Sequence, residues 1–147
     1  MNVLVIAAHM DDEVLGVGGT ISRHVAAGDA VTICFCCQRA YQHRFPPRRR
    51  QEDEAAARRA AAILGCRRVR FLRLPDERLD ERLLSVIMPL EACVAEVRPS
   101  VVYTTHRGDT NQDHRAVFQA TMVACRTIAT PKVPRLLCYE VLSSTEQ

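Results

Sequence analysis

A short aliphatic run near the start of the chain ends abruptly in polar side chains. Residues 2–7 are almost entirely apolar, and His9, Asp11 and Asp12 follow almost at once. The spacing of apolar side chains after them predicts a helix over residues 13–27. Open α/β sheets build their sites from polar residues at the carboxyl ends of strands. This segment therefore predicts a buried strand, a turn carrying chemically active groups, and a helix.

The same arrangement occurs a second time, far away in the sequence. Residues 100–105 form another aliphatic run, and the polar stretch after it includes His106, Asp113 and His114. The last two open a helix predicted over residues 113–129. Two strands that each run into His and Asp side chains indicate one shared site, provided that the strands are neighbours in the sheet.

The rest of the chain continues the alternation of strand and helix. Near-continuous apolar strands between helices favour an α/β fold with a Rossmann-like, mainly parallel sheet covered by helices on both faces. The length of 147 residues suits a single domain over 1–147. Further strands are predicted over residues 30–36, 69–72 and 136–141, a loop over 38–47, and further helices over 49–64 and 80–97, the last of them disturbed near Pro89.

Composition and charge exclude several classes of protein. The net charge is only +3, much of it from arginines at 44 and 48–50, and no aromatic residues are interleaved with them, so nucleic-acid binding is not favoured. No apolar run approaches the roughly 20 residues that span a bilayer, and the start does not resemble a signal peptide. We expect a cytoplasmic protein that acts on a small molecule. The protein is also a possible homo-oligomer. The seven cysteines are expected to be reduced, mostly buried thiols, with a metal or redox cluster around Cys34 as the alternative.

The two polar clusters predict a metal site. His9 and Asp12 are three residues apart at a strand-to-helix turn, where side chains at this spacing share a face. His114 can supply a third ligand from the second cluster. Two histidines, one carboxylate and an open position are typical of catalytic zinc. Iron(II), manganese and cobalt accept the same nitrogen and oxygen ligands.

Asp11 lies between the two ligands of the first cluster and is not expected to bind the same ion. A bound metal lowers the pKa of a water ligand to about 7, and a carboxylate within hydrogen-bond reach can take its proton. The predicted chemistry is hydrolysis of an amide or ester. The alternative for each residue alone is structural, because Asp11, Asp12 and Asp113 are also good helix N-caps.

Glycines at positions 16, 18 and 19 offer a different interpretation, a nucleotide-binding Rossmann module. The Gly-x-Gly-x-x-Gly spacing is absent, and the acids before the glycines would repel a phosphate. This alternative is therefore less favoured than the metal site. Glu13, which follows the two aspartates, is expected to lie at the start of the helix, where negative charge is favourable.

Residues 8–13 read Ala-His-Met-Asp-Asp-Glu, which resembles the Ala-His-Pro-Asp-Asp-Glu signature of the LmbE-like, or PIG-L, zinc-dependent N-deacetylases. Residues 113–117 read Asp-His-Arg-Ala-Val and look like the family's second signature. The resemblance covers nearly the whole chain. It implies a Rossmann-like fold and removal of acetyl from an N-acetylglucosamine-type conjugate. It also implies zinc bound by His9, Asp12 and His114, with Asp11 as the general base.

The resemblance also points to further residues. Several members have a histidine where this chain has Asn111, and an amide can donate a hydrogen bond to an oxyanion but cannot transfer a proton. The general acid is then His106 or protonated Asp11. Asp113 is expected to orient a neighbour through a hydrogen bond. By resemblance, an arginine at the start of the second long helix contacts sugar hydroxyls, and Arg50, or Arg49 beside it, is the candidate.

Two departures from the family pattern support an alternative function: Asn111 in place of a histidine, and the position at which the chain ends. A further departure, Met10 in place of the usual proline, loosens the turn but removes no ligand. Members of the family usually continue well past a segment like the one that ends this chain at Gln147. A metal-binding but inactive member, or a truncated one that depends on a partner, is therefore the alternative to an active deacetylase.

Overall fold

A computed structural model describes residues 1–38, 48–126 and 131–142. Strands and helices alternate through these ranges, as the sequence predicts. The predicted loop residues 39–47 and the predicted helix end at 127–129 lie outside the described residues. The strands are β1 (Asn2–Ala7), β2 (Ala30–Gln38), β3 (Arg68–Pro75), β4 (Val101–Thr105) and β5 (Arg135–Tyr139), and the α-helices are α1 (Asp12–Ala26), α2 (Arg48–Ile63), α3 (Leu83–Val97) and α4 (Gln112–Ala124).

The strands form one sheet in the order β3-β2-β1-β4-β5, with every neighbouring pair parallel. The prediction of a parallel α/β sheet is therefore confirmed. The chain moves outward from β1 to β3 and then crosses back to β4 on the other side of β1. Ligands bind open α/β sheets at such a reversal, outside the carboxyl ends of the strands. The reversal lies between β1 and β4, the two strands that precede the polar clusters.

Helices cover both faces of the sheet. Leu4 and Ile6 of β1 pack in one buried cluster with side chains of α3 and α4, while Val3 and Val5 pack in a second cluster with side chains of α1 and α2. Because β1 is buried on both faces, its sequence is a continuous apolar run rather than an alternating one. This central position places the carboxyl end of β1 at the reversal of strand order, next to the end of β4.

Two elements differ from the sequence prediction. β3 extends over Arg68–Pro75, whereas the predicted strand covered only 69–72. β3 is an edge strand, and the arginines at its exposed positions interrupt the apolar pattern on which the prediction depends. The predicted helix over 80–97 is a 3-10 turn, Leu79–Arg82, followed by α3. α3 runs without interruption through Pro89, so the predicted disturbance there is wrong. Burial of Val86 and Leu90 on either side of the proline holds the helix against the sheet.

All seven cysteines are free thiols, and four of them are buried. Burial raises the pKa of several of these thiols, Cys66 to about 11 among them, which keeps them protonated at neutral pH. No helix in the described part of the chain is both long and apolar enough to cross a membrane.

Candidate metal centre

The turn between β1 and α1 positions the first polar cluster. The backbone N–H of His9 donates to Asp12 Oδ2 at 2.8 Å, which closes the turn and orients the carboxylate. Asp12 is buried, whereas the ring of His9 is partly exposed. Asp11 is the residue before α1, and its side chain makes no capping hydrogen bond. The interpretation of Asp11 as a plain helix cap therefore finds no support in its contacts.

The loop between β4 and α4 positions the second cluster. Asn111 caps α4 through its side-chain oxygen, which accepts from the backbone N–H of Asp113 at 2.9 Å and of His114 at 3.4 Å. The Thr105 hydroxyl donates to the backbone carbonyl of His114 at 2.8 Å. The end of β4 and the first turn of α4 are thus fastened together, and His114 is held in a buried position.

The two clusters meet at three donor atoms. His9 Nδ1 lies 3.3 Å from His114 Nε2, and His114 Nε2 lies 3.3 Å from Asp12 Oδ1. The distance from His9 Nδ1 to Asp12 Oδ2 is 3.8 Å. A tetrahedral ion with bonds of 2.0 to 2.1 Å separates its ligand atoms by roughly 3.3 Å. The three predicted ligands therefore fit a zinc-sized ion, and their nitrogen and oxygen donors also suit iron(II), manganese or cobalt.

A second carboxylate holds each histidine from behind. Asp113 Oδ2 is 3.1 Å from His9 Nε2, and Asp109 Oδ2 is 2.6 Å from His114 Nδ1. A carboxylate at one ring nitrogen fixes the proton there and leaves the other nitrogen available to an ion. The neighbour that Asp113 orients is thus His9. Asp109 is not among the residues predicted from the sequence, although it lies in the polar stretch after β4 that carries the other candidates.

Asp113 also ties the site to the segment after β3. Its carboxylate accepts the backbone N–H of Glu77 at 2.6 Å and of Leu79 at 3.3 Å. Burial by itself would raise the pKa of this carboxyl, but the hydrogen bonds from His9 and Glu77 outweigh it and lower the pKa. Asp113 is therefore held as a carboxylate that can accept from several donors at once.

A cavity of about 330 Å³ opens over these atoms. Arg50 and His106 are not among its lining residues. Arg50 lies one helical turn before Asp53 on α2, and His106 Nδ1 accepts from the backbone N–H of Gly108 at 3.1 Å. Besides the three candidate ligands, the lining includes Asp11, Asn111, Cys37, Asp53 and Asp76.

Gly16 allows α1 to approach the end of the sheet. A Cβ atom at this position would overlap the ring of Tyr139 and lie 2.8 Å from the backbone oxygen of Glu140. Tyr139 in turn donates its hydroxyl to the carbonyl of Ile6 at 2.9 Å. This glycine is explained by close packing, which removes one argument for a phosphate-binding loop.

Glu13 lies at the start of the helix, as the sequence predicts, but its environment is not that of an ordinary charged side chain. Its side chain is fully buried, and neither carboxylate oxygen has a hydrogen-bond partner among the described residues. Burial, reinforced by the charges of Asp12 and Asp11, raises its pKa from 4.5 to about 7. A buried acid whose pKa is raised by folding destabilises the fold once the pH exceeds the pKa that the same acid has in the unfolded chain.

We therefore expect Glu13→Gln to stabilise the protein at pH 8 by up to about 3 kcal/mol and to have little effect near pH 4.5. The measurement is the free energy of unfolding in urea at both pH values. Glu52→Gln is the matched control, because Glu52 is exposed and its contacts with Arg48 and Arg49 are long. A surface pair of this kind contributes about 1 kcal/mol or less. Equal effects of Glu13→Gln at both pH values would contradict the buried charge.

The charge of His114 gives the metal-free protein a pH-dependent stability. Burial lowers the pKa of this ring, but the carboxylates of Asp12 and Asp109 outweigh burial and raise it from 6.5 to about 9. The resulting stabilisation is complete below pH 6.5 and is lost as the pH rises through 9.

We expect the loss of charge on His114 to lower the free energy of unfolding of the metal-free protein by about 1.2 kcal/mol between pH 7 and 8. Zinc must displace the proton from Nε2, so the zinc-loaded protein lacks this slope and its affinity for zinc rises over the same range. Urea titrations with chelator and with zinc check both statements. A metal-free protein with constant stability between pH 7 and 8 would refute the assignment.

Comparison with known proteins places this fold and this site in a family. The model of the PIG-L family, described as GlcNAc-PI de-N-acetylase, matches residues 4–125. The chain is 35% identical to the uncharacterized deacetylase YaiS of Escherichia coli (strain K12), with 97% of this chain and 75% of that protein aligned.

Solved structures agree with this relationship. The conserved protein TT1542 from Thermus thermophilus is 28% identical with a TM-score of 0.80, over 97% of this chain and 68% of that one. The A40926 pseudoaglycone deacetylase Dbv21 is 26% identical with a TM-score of 0.76, over 98% of this chain and 65% of that one. On the match to most of its length and the identity to YaiS, this chain belongs to the PIG-L family.

Proposed function

We propose that this chain is a zinc-dependent hydrolase that removes the acetyl group from an N-acetylglucosamine-type amino sugar conjugate. The observation that carries the proposal is the convergence of His9, Asp12 and His114 at 3.3 to 3.8 Å beneath an open cavity. The names of YaiS and Dbv21 describe deacetylases, which supports the same chemistry. We also propose that residues 1–147 form a single domain that carries this activity.

In this proposal His9, Asp12 and His114 hold the ion. Bound zinc would polarise the acetamide carbonyl and lower the pKa of the attacking water. Asp113 and Asp109 act as positioning residues, because each holds one histidine through the ring nitrogen that faces away from the ion. This arrangement fixes the direction from which the ligands approach.

Asp11 is the proposed general base. It lines the cavity next to the ligands, and its side chain is not used to cap α1. It takes a proton from the water as the oxygen attacks the carbonyl carbon, and the C–N bond then breaks. The departing amine needs a proton, and protonated Asp11 is better placed to return it than His106, because His106 is not among the lining residues.

Asn111 is proposed to stabilise the developing oxyanion. Its side-chain oxygen accepts the hydrogen bonds that cap α4. The side-chain nitrogen is therefore the atom that can donate a hydrogen bond to the substrate. A fixed donor of this kind strengthens its bond as charge develops on the carbonyl oxygen. Arg50 and His106 do not line the cavity. They remain proposed contacts only for the part of a conjugate that extends beyond its acetamido group.

The alternative is a metal-binding member that does not hydrolyse an acetamide by itself. Asn111 favours this alternative, because the amide cannot supply the proton that a histidine would. The two proposals agree on metal binding and differ only in turnover.

The experiment is acetate release from a panel of N-acetylglucosamine glycosides, with metal content measured on the same samples. The proposed hydrolase shows near-stoichiometric metal and acetate release that a chelator abolishes and zinc restores. Metal without acetate release would favour the inactive alternative. No bound metal after addition of zinc would refute the ligand assignment itself.

A further inference from the structure

The edge of the His9 ring that faces away from Asp12 and His114 meets a second set of donor atoms. His9 Nε2 is 3.1 Å from Asp113 Oδ2, and Cys37 Sγ is 3.9 Å from the same oxygen. All three donor atoms lie within 4.8 Å of one another. Cys37 and Asp113 are buried, and both Cys37 and His9 line the cavity, so an ion has a route to this position.

Strand β2 places the thiol there. The pairing of β2 with β3 shifts register between Phe35 and Cys37. The backbone N–H of Cys37 then donates to the carbonyl of Ala8 at 2.8 Å, which fastens the end of β2 to the turn after β1. The thiol consequently lies beside the turn that carries His9. A local bulge of this kind commonly redirects a side chain near a functional site.

We propose that His9 Nε2, Cys37 Sγ and Asp113 Oδ2 form a second metal site, which takes a soft divalent ion such as Cd²⁺. Thiolate ligands select soft ions over those that prefer oxygen. When the ion binds, a metal–sulfur bond forms, the S–H bond breaks and its proton passes to solvent. The thiolate and the carboxylate together balance the charge of the ion, so that a buried cluster forms without excess charge.

The two sites compete for one ring. A neutral imidazole carries a proton on one nitrogen and offers a lone pair on the other. Binding at Nε2 therefore requires the proton of His9 to move to Nδ1, which removes His9 from the set that includes Asp12 and His114. A soft ion at the second site is thus expected to displace zinc from the first. Metal binding stands by itself, whereas inhibition of turnover rests on the proposed function.

The first test titrates Cd²⁺ into zinc-free protein and follows the ultraviolet charge-transfer band of a cadmium–thiolate bond. Wild type is expected to bind one ion per chain with this band. Loss of a residue that only supports a ligand costs roughly 10- to 100-fold in metal affinity. Because Cys37 is itself a proposed ligand, Cys37→Ser is expected to weaken Cd²⁺ binding at this site by at least about 100-fold. Cys66→Ser, at a half-buried thiol outside the cavity lining, is the control and keeps wild-type affinity.

An unchanged band and affinity in Cys37→Ser would overturn the proposal. If Cys37→Ser does not fold by circular dichroism, cadmium NMR of wild type decides instead. A resonance typical of mixed sulfur, nitrogen and oxygen ligands supports the site, and one typical of oxygen and nitrogen alone refutes it.

The second test adds Cd²⁺ to zinc-loaded protein and measures both metals. Total metal is expected to stay at one ion per chain while zinc is released, and two ions bound at once would overturn the sharing of His9. Acetate release is expected to fall with Cd²⁺ occupancy in wild type and to resist the same Cd²⁺ concentration in Cys37→Ser. Protein that releases no acetate at all refutes the proposed function, yet the metal counts still test this site.

Discussion

Replacing Asp11 with asparagine is expected to lower the rate of acetate release by about 10²- to 10⁴-fold, the usual contribution of a general base. Zinc content is expected to stay unchanged, because Asp11 lies beside the ligands without joining their cluster. Asparagine keeps the size and hydrogen-bonding oxygen of the side chain but cannot accept a proton from water. The loss should therefore appear in kcat, with little change in KM.

Asp53→Asn is the matched control for this variant. Asp53 lies on α2 and lines the same cavity, so its replacement removes the same charge from the same space. If Asp11 acted only through the negative field of the cavity, the two variants would lose activity to a similar extent. A loss for Asp11→Asn of less than tenfold, or loss of its zinc, would contradict the assigned role.

Replacing His114 with alanine is expected to remove bound zinc from the purified protein and to abolish turnover with it. His114 supplies one of three ligand atoms, and it also separates two buried carboxylates, Asp12 at 3.3 Å and Asp109 at 2.6 Å. Breaking a buried pair by removing one partner costs about 3 to 5 kcal/mol. The metal-free variant is therefore also expected to melt at a lower temperature than the metal-free wild type.

His24→Ala is the control for His114→Ala. His24 is likewise held by a carboxylate, with Nδ1 at 2.7 Å from Asp29 Oδ2, and it contacts Tyr103 through Nε2 at 3.0 Å. It lies near the end of α1 far from the metal site, so its loss should reduce stability without changing zinc content. His114→Gln, which leaves a smaller cavity, shows whether zinc is lost from a folded chain. Wild-type zinc content in folded His114→Gln would refute the ligand assignment.

The strands and the parallel sheet were predictable because their signal is local. Burial on both faces leaves β1 and β4 with continuous apolar runs, and each run ends where the polar side chains begin. The order of the strands then brings the two ends together. The edge strand β3 was less predictable, because its exposed arginines mask the apolar pattern of a strand. The 3-10 turn over Leu79–Arg82 was not predicted either, because the sequence pattern continues from it into α3.

By itself the sequence determined the fold class, the three candidate ligands and the neighbouring Asp11, because each belongs to a short segment whose pattern is complete within a few residues. Only the tertiary structure decided which edge of each histidine faces which carboxylate. It alone brought Cys37 and Asp113 to the second edge of His9, and it buried Glu13 without a partner among the described residues. The physical reason is separation along the chain. His9 and Asp113 are 104 positions apart and Cys37 and Asp113 are 76 apart, and no local periodicity records a contact that packing of the whole sheet creates.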